Sequence, residues 1–275
     1  MKRKHLIALV AASALICALA LAGCATSSSD AAASSDEKQT IKIGIRGDLV
    51  DLLEAVKPEI EAKGYQVEQV VFDDSVQPNV ALAEGSIDCN WYQHEPYLES
   101  YNASNGTTFK MVEPKSYFPL FAMYSSKWDS LDELPDGATI GLCNDSSNRA
   151  RGLKLLADYG LITLNEDVAI PTAFDIVDNP HGYTFIEAEM SVLPQSIDDV
   201  DAICLAATHM VNAGKAADGY IAASKDAESY AVGFVVREGD EDATWAIDLA
   251  NAVQSDALAA VCADLKKGTL IPSWE

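Results

Sequence analysis

The chain has 275 residues, of which 19 are Lys or Arg and 42 are Asp or Glu, giving a formal net charge of −23. Hydrophobic residues make up 49% and charged residues 22%, which is the balance of a globular protein and not of a disordered one. The excess of acid argues against nucleic-acid binding, because phosphate contacts need clustered Lys and Arg. It also argues against electrostatic attachment to anionic lipid.

The N-terminus carries the pattern of an export signal. Basic residues 2–4 precede an uninterrupted apolar run, residues 6–22, which ends in small residues before Cys24. A membrane-spanning helix is the alternative, but the run is at the short limit of the roughly 20 residues that cross a bilayer. The segment Leu-Ala-Gly-Cys at 21–24 resembles the bacterial lipobox. This resemblance implies that residues 1–23 are a signal peptide and that Cys24 is acylated.

Residues 24–39 are rich in Ser, Ala and Asp and have no hydrophobic periodicity, which predicts a flexible tether between the lipid and a folded domain. Cys89, Cys143, Cys204 and Cys262 follow at long, irregular spacings in apolar surroundings. This spacing argues against metal clusters and redox motifs, so no metal or cofactor is expected. Buried thiols are expected, with a long-range disulfide as the alternative in an exported protein.

Extended and helical patterns alternate from residue 40 onward. A strand with period two at 41–45 precedes apolar residues at helical spacing, with Pro58 predicted to kink or end that helix. Further extended segments, separated by a helical pattern near residues 80–85, follow at 65–72 and 86–90. This alternation predicts βαβ units and a mostly parallel sheet.

A second alternating series follows. It contains strands at 138–143 and 202–205, helices at 147–159 and Thr208–Asn212, and a long terminal helix at 245–266. Extended segments at 109–125 and 229–237 separate the two series. The order predicts an α/β fold with two lobes joined by these two crossing segments. The predicted domains are listed by range: signal peptide 1–23, tether 24–39, lobe 1 from 40–118 plus 226–275, and lobe 2 from 119–225.

Ligands in such folds bind at the carboxyl ends of the strands, in the cleft. The loops expected to line the cleft are 46–48, 73–79, 90–97, 144–151 and 206–212. In the loop 144–151, Arg149 and Arg151 stand where a strand passes into a helix. Free N–H groups at a helix start attract an anion, and an Arg one turn further on can bind a carboxylate. An ordinary capped surface helix with solvated arginines is the alternative.

The loop 90–97 combines aromatic and polar residues. Tyr92, Gln93, His94 and Tyr97 would form a wall that suits a ligand with both apolar and polar surface. Core aromatics with a surface His are the alternative. A metalloprotease is rejected, because no second His follows at the required spacing and Pro96 is predicted to break the helix.

Sequence signals of hydrolases and nucleotide-binding enzymes are absent as well: the chain contains no G-x-S-x-G, no P-loop and no G-x-G-x-x-G. The protein is therefore not expected to be an enzyme.

Several spaced motifs together resemble the NlpA-type methionine-binding lipoproteins of ABC importers. They are Gln-Pro-Asn at 77–79 with Gly-Ser-Ile-Asp at 85–88, the segment 93–98, and Asn-Asp at 144–145 with Ser147, Asn148 and Arg151. The resemblance spans residues 42–275. It implies a two-lobed α/β fold that resembles periplasmic binding proteins, with a hinge between the lobes. It also implies a protein that is lipid-anchored on the extracytoplasmic face of the cell membrane and delivers a small zwitterion such as methionine to an importer permease.

The resemblance also implies roles for particular residues. Arg151 and Asn148 match positions that bind the ligand carboxylate, while Tyr92, His94 and Tyr97 match the wall around its side chain. Two positions depart from the family pattern: Ser75 stands where a pocket-lining Tyr is common, and Ala206 where an Asn is usual. Related solutes such as a dipeptide therefore remain an alternative ligand. An envelope enzyme that uses His94 and an adhesion lipoprotein are the competing functions.

Overall fold

The computed structural model describes residues 40–264 and 266–274. The predicted signal peptide, the tether and the lipidated Cys24 lie outside the described residues. The strands, in chain order, are β1 (Thr40–Arg46), β2 (Gln66–Phe72), β3 (Cys89–Asn90), β4 (Lys110–Met111), β5 (Tyr117–Pro119), β6 (Phe121–Tyr124), β7 (Thr139–Cys143), β8 (Thr163–Leu164), β9 (Ile176–Asp178), β10 (Thr184–Ala188), β11 (Ala202–Ala206), β12 (Tyr220–Ala223), β13 (Val235–Val236) and β14 (Leu270–Pro272).

The helices are interspersed with these strands. The α-helices are α1 (Val50–Glu61), α2 (Gln77–Ala83), α3 (Glu95–Asn105), α4 (Ser146–Asp158), α5 (Thr208–Asn212), α6 (Thr244–Val253) and α7 (Asp256–Asp264). Short 3₁₀ turns lie at Gly47–Leu49, Leu131–Glu133, Ala173–Asp175, Leu193–Ser196 and Glu228–Tyr230. Within the described ranges, none of the helices has the length and apolar character needed to cross a bilayer.

Two five-stranded sheets, each with its own apolar core, form the two lobes. The sheet of lobe 1 has the order β2-β1-β3-β13-β4, and the sheet of lobe 2 has the order β10-β7-β11-β6-β12. Helices α1, α6 and α7 contribute buried Leu and Val side chains to the first core, and α4 contributes Leu153, Leu155 and Leu156 to the second. The predicted two-lobed α/β fold is confirmed.

The predicted parallel pairing is confirmed for β1, β2 and β3, the strands from which it was inferred, but both complete sheets are mixed. In lobe 1, β1 pairs in parallel with β2 and β3, whereas β13 is antiparallel to both of its neighbours. In lobe 2, β7 is parallel to β10 and β11, but β6 pairs antiparallel with β11 and β12. The antiparallel strands β6 and β13 each lie next to a chain crossing between the lobes, so they lack the βα connection that makes neighbouring strands parallel.

The two crossing segments lie side by side between the sheets. The Val232 amide donates to the Tyr117 carbonyl oxygen at 2.8 Å, and the Ser116 amide donates to the Val232 carbonyl oxygen at 2.8 Å. Two adjacent, antiparallel connections of this kind are a suitable hinge, since few backbone angles need to change for one lobe to rotate against the other. The residue limits assigned to the lobes from the sequence stay a prediction.

Three helix predictions need correction. Helix α1 continues through Pro58 to Glu61, because Pro58 lies on the exposed face while the opposite face is buried in the core. Pro96 does not break a helix but lies in the first turn of α3, where its missing N–H is not needed. The predicted terminal helix is two helices, α6 and α7. The helical conformation is interrupted at Gln254, whose side-chain amide donates to the Lys115 carbonyl oxygen at 2.9 Å.

Candidate ligand-binding site

A cavity of about 510 Å³ lies between the two sheets, at the carboxyl ends of their strands. Each of the five loops predicted to line the cleft contributes to its wall. The six residues predicted to bind ligand all lie on this cavity, and they are Tyr92, Gln93, His94, Tyr97, Asn148 and Arg151. The structure therefore brings together residues from both lobes that are up to 59 positions apart in the chain.

Arg151 is the most unusual residue of the cavity wall, because its side chain is a buried cation that makes no salt bridge with any residue the structure describes. Only 1% of its surface is exposed, and its guanidinium lies 3.9 Å from the ring centre of Tyr230 and 4.7 Å from that of Phe121. Nη2 donates to the Pro119 carbonyl oxygen at 3.2 Å. Nε and Nη1 are buried and have no hydrogen-bond partner within the described residues.

The pKa of Arg151 reflects the free-energy cost of burying its charge. Burial lowers the pKa of its guanidinium to about 10, because the charged form loses its hydration. A buried charge with two unused donors is strongly unfavourable unless an anion completes it. Since Arg151 lines the cavity, a bound carboxylate is the group that would complete this site.

The start of helix α4 holds Asn148 beside Arg151. Asp145 caps the helix, and its Oδ1 accepts hydrogen bonds from the backbone amide of Asn148 at 2.9 Å and from the Ser147 hydroxyl at 2.8 Å. The Asn148 side-chain amide also donates to Asp145 Oδ1 at 3.1 Å. This arrangement fixes the amide group of Asn148, so that its oxygen Oδ1 points away from Asp145.

His94 connects the two lobes through that oxygen. It caps helix α3, with its Nδ1 accepting the backbone N–H of Tyr97 at 3.2 Å. The proton of the neutral ring must then lie on Nε2, which donates to Asn148 Oδ1 at 3.1 Å. Burial first, and the nearby Arg151 cation second, lower the pKa of His94 to about 4. His94 is therefore neutral at physiological pH and acts here as a hydrogen-bond donor, not as a proton carrier.

Tyr92 and Tyr97 form an aromatic wall whose rings meet edge to face at 6.2 Å. Both hydroxyls donate to the carbonyl oxygen of Ser75, at 2.6 Å from Tyr92 and 2.9 Å from Tyr97. Burial raises the pKa of both phenols, so both stay protonated. Because the hydroxyls are used by Ser75, the rings offer apolar surface to the cavity.

Gln93 is held in a buried polar cluster behind that wall. Its side-chain amide donates to Asn79 Oδ1 at 2.7 Å and to Asn90 Oδ1 at 2.8 Å, and its oxygen accepts from Asn79 Nδ2 at 3.0 Å. Asn90 Nδ2 in turn donates to Asn79 Oδ1 at 2.9 Å. These bonds use most of the amide, so Gln93 positions the loop that carries Tyr92 and His94.

The structure adds a second connection between the lobes that sequence reasoning missed. Asp48 binds the Arg46 guanidinium through both carboxylate oxygens, each at 3.0 Å. Across the cleft, Arg46 Nη2 lies 3.3 Å from His209 Nε2, and Asn212 Nδ2 donates to Asp48 Oδ2 at 3.2 Å. The available signal was the position of Arg46 at the end of the first strand, in a chain with few basic residues.

Two carboxylates, Glu189 and Asp74, lie in the part of the cavity that Arg46 influences. Glu189 and Asp74 both line it, and the pKa of Glu189 is raised chiefly by burial, with Arg46 opposing and Asp145 and Asp74 adding to the shift. Asp74 Oδ1 accepts the backbone amides of Val76 and Gln77 at the start of α2. Within the described part of the chain, no group of three or more His, Cys, Asp or Glu residues is arranged to hold a metal ion.

Two lobes that meet over a buried cation, which has no anionic partner among residues 40–264 and 266–274, define a binding protein that closes around a small anionic or zwitterionic solute. The model of the NlpA lipoprotein family matches residues 41–274, and the chain belongs to that family. It is therefore a substrate-binding protein and not an enzyme, which confirms the family predicted from the motifs.

Individual relatives agree with this assignment. The D-methionine-binding lipoprotein MetQ of Salmonella typhi is 36% identical over 270 residues, which cover 96% of this chain and 97% of the relative. MetQ of Escherichia coli (strain K12) is 36% identical over 274 residues, with the same coverage. A nutrient-binding protein from Burkholderia cenocepacia, solved with methionine bound, has a TM-score of 0.80 and 31% identity over 85% of this chain and 99% of its own.

Proposed function

We propose that this protein is an extracytoplasmic, lipid-anchored binding protein that captures methionine or a close relative and delivers it to an ABC importer. The observation that carries the proposal is Arg151, a buried cation that lines the cavity between the lobes and has two donors without a partner in the described residues. A ligand α-carboxylate would supply the missing anion and both hydrogen-bond acceptors. The names of the relatives, which bind D-methionine or methionine, support the choice of ligand.

The aromatic wall supports an apolar, polarisable side chain in the ligand. Tyr92 and Tyr97 turn their rings toward the cavity, since their hydroxyls bind Ser75. A thioether makes favourable contacts with aromatic ring edges, worth about 0.3–1.5 kcal/mol each. His94 Nε2–H and Asn148 Oδ1 lie beside the carboxylate site and would fix the orientation of the bound molecule.

Closure around the ligand follows from the contacts that cross the cleft. His94 binds Asn148 on one side, while Arg46 and Asp48 meet His209 and Asn212 on the other. We assign these contacts to the closed form and expect opening to break both sets while the lobes, 40–118 plus 226–275 and 119–225, move as rigid units about the paired crossings. The closed form is the one that a permease partner would recognise.

The proposed anchor is a lipid on Cys24. One acyl chain gives only marginal membrane binding and several give stable binding, so multiple acylation at this residue would hold an acidic domain that anionic lipid repels. The tether at 24–39 would then let the domain reach the importer from the membrane surface.

Calorimetric titration of the purified protein tests this function. L-methionine and D-methionine are compared with methionine amide, which keeps the side chain and the ammonium but lacks the carboxylate. We expect saturable binding of at least one methionine enantiomer, unchanged ligand on recovery, and a loss of at least 100-fold in affinity for the amide. Binding of the amide as tight as that of the acid would reject the carboxylate site.

A further inference from the structure

Lys266 is a buried cation in the segment between α7 and β14. Only 5% of its side chain is exposed, and its Nζ donates to the Asp48 carbonyl oxygen at 2.7 Å. The same Nζ lies 2.9 Å from Asp51 Oδ1 in the first turn of α1. Lys266 is outside the set of described residues that line the cavity. A charge buried to this degree needs partners that compensate for its lost hydration, so these two contacts fix the turn at 47–49 and the start of α1.

The turn that Lys266 holds carries one half of the second connection between the lobes. We call this connection the inter-lobe latch; it consists of Arg46, Asp48, His209 and Asn212. Asp48 Oδ2 accepts from Arg46 at 3.0 Å and, across the cleft, from Asn212 Nδ2 at 3.2 Å. Burial lowers the pKa of His209 to about 4, so its neutral ring accepts from Arg46 Nη2 at 3.3 Å. Both cross-lobe distances are at the upper end of the hydrogen-bond range, so a small shift of the turn would weaken them steeply.

The inter-lobe latch stands between the cavity and a smaller pocket of about 220 Å³. Arg46, Asp48 and His209 line both spaces. Because these three residues form the wall between them, breaking the latch would join the two spaces and open a path for the ligand. Asn212 lines the smaller pocket and is exposed. A substitution of Asn212 therefore changes the latch from the side that faces away from the cavity.

Lys266 is also joined to the hinge, through strand β14. Its carbonyl oxygen accepts from the backbone amide of Thr269 at 2.9 Å and from the Thr269 hydroxyl at 2.6 Å. The Thr269 carbonyl oxygen in turn accepts the amide of Leu120 at 2.9 Å, immediately before β6 of lobe 2. Strand β14 then pairs antiparallel with β5, which belongs to the same crossing. The segment from Lys266 to β14 therefore contacts the hinge at one end and the turn of the latch at the other.

We propose that Lys266 is a positioning residue that joins the hinge to the inter-lobe latch and thereby sets how long the closed form retains its ligand. The inference rests on the proposed function and adds a residue that controls ligand release. Since Lys266 acts from outside the cavity wall, its loss leaves the contacts with the bound molecule unchanged. It shifts the balance from the closed to the open form, which raises the rate of dissociation and has little effect on the rate of association.

Stopped-flow kinetics with the more tightly bound methionine enantiomer tests the proposal. We expect Lys266→Met to raise the dissociation rate constant about tenfold, the effect of losing one charge-assisted hydrogen bond, and to leave the association rate constant within about twofold of the wild type. Lys267→Met is the matched control, because that neighbouring side chain is exposed, and its rates should stay those of the wild type. Asn212→Ala should also speed dissociation. In the double variant Lys266→Met/Asn212→Ala the two effects should not multiply, because both act through Asp48.

The outcomes separate this inference from the function beneath it. A folded Lys266→Met variant with the dissociation rate of the wild type overturns the coupling and leaves the binding function intact. An equal rise in Lys267→Met, or effects that multiply in the double variant, overturns it in the same way. A folded wild-type protein that binds neither methionine enantiomer overturns both. If Lys266→Met does not fold, Lys266→Gln, which keeps a polar group at this position, is measured and judged by the same results.

Discussion

Replacing Arg151 by Met removes the guanidinium while keeping an unbranched side chain between Tyr230 and Phe121. Two of its donors, Nε and Nη1, have no hydrogen-bond partner among the residues that the structure describes. Each charge-assisted hydrogen bond to a ligand carboxylate is worth about 1.5–3 kcal/mol, so the pair contributes about 3–6 kcal/mol. We therefore expect Arg151→Met to weaken ligand binding by roughly two to four powers of ten.

The same substitution should stabilise the unliganded protein. Burial lowers the pKa of Arg151 to about 10 from its ordinary 12.5. This shift corresponds to a free-energy cost of about 3 kcal/mol for burying the charged guanidinium. Part of this is recovered through the bond to Pro119, which Met lacks. Without ligand, the free energy of unfolding of Arg151→Met is expected to exceed that of the wild type by about 1–2 kcal/mol.

Calorimetry and urea denaturation measure the two effects on the same samples. Arg149→Met is the matched control on the same helix. Its guanidinium binds Glu187 at the surface, a kind of pair worth about 0–1 kcal/mol, so neither affinity nor stability should change much. The reasoning is refuted if Arg151→Met keeps an affinity within a few-fold of wild type, or if both arginine variants lose affinity equally.

Three further predictions concern the anchor, the pH response and the core. Cys24→Ala should release the protein from the membrane fraction or leave an unprocessed precursor, and a mature-sized, membrane-bound variant in a fractionation blot would disprove the anchor. Burial lowers the pKa of His94 and of His209 to about 4, so the unfolded chain takes up protons from about pH 6.5 downward that the folded protein does not. The urea midpoint should therefore fall as the pH drops from 6.5 to 4, and His209→Gln should flatten that fall; an equal slope would contradict it. A Cβ on Gly152 would lie 2.8 Å from Leu142 Cδ2, so Gly152→Ala should lower the free energy of unfolding by about 1–3 kcal/mol, whereas Gly219→Ala, with open space around it, should not.

The elements predicted with most success were those with strong local patterns. Helix α5 has the bounds expected from the sequence, and glycines with positive φ follow α1, α2 and α4 near the expected ends. The failures came from tertiary effects. Pro58 is tolerated because its helix is held by the core on the opposite face, and α7 separates from α6 because Gln254 reaches a distant carbonyl group. No local pattern contains that information.

The residues of the candidate site also fall into those that could be predicted from the sequence and those that could not. Arg151, Asn148 and His94 could be found because strand-to-helix junctions place polar groups at the edge of a sheet. The pairing of Arg46 with Asp48, and its approach to His209, depends on how the lobes meet. Sequence spacing carries no record of a contact between residues 163 positions apart.

Native mass spectrometry of the freshly purified protein tests the central claim most directly, since a tightly bound ligand stays with the protein through purification. We expect a stoichiometric adduct with the mass of methionine, present in Arg149→Met and absent from Arg151→Met. A wild-type protein that carries no adduct and acquires none on addition of either methionine enantiomer would contradict the account.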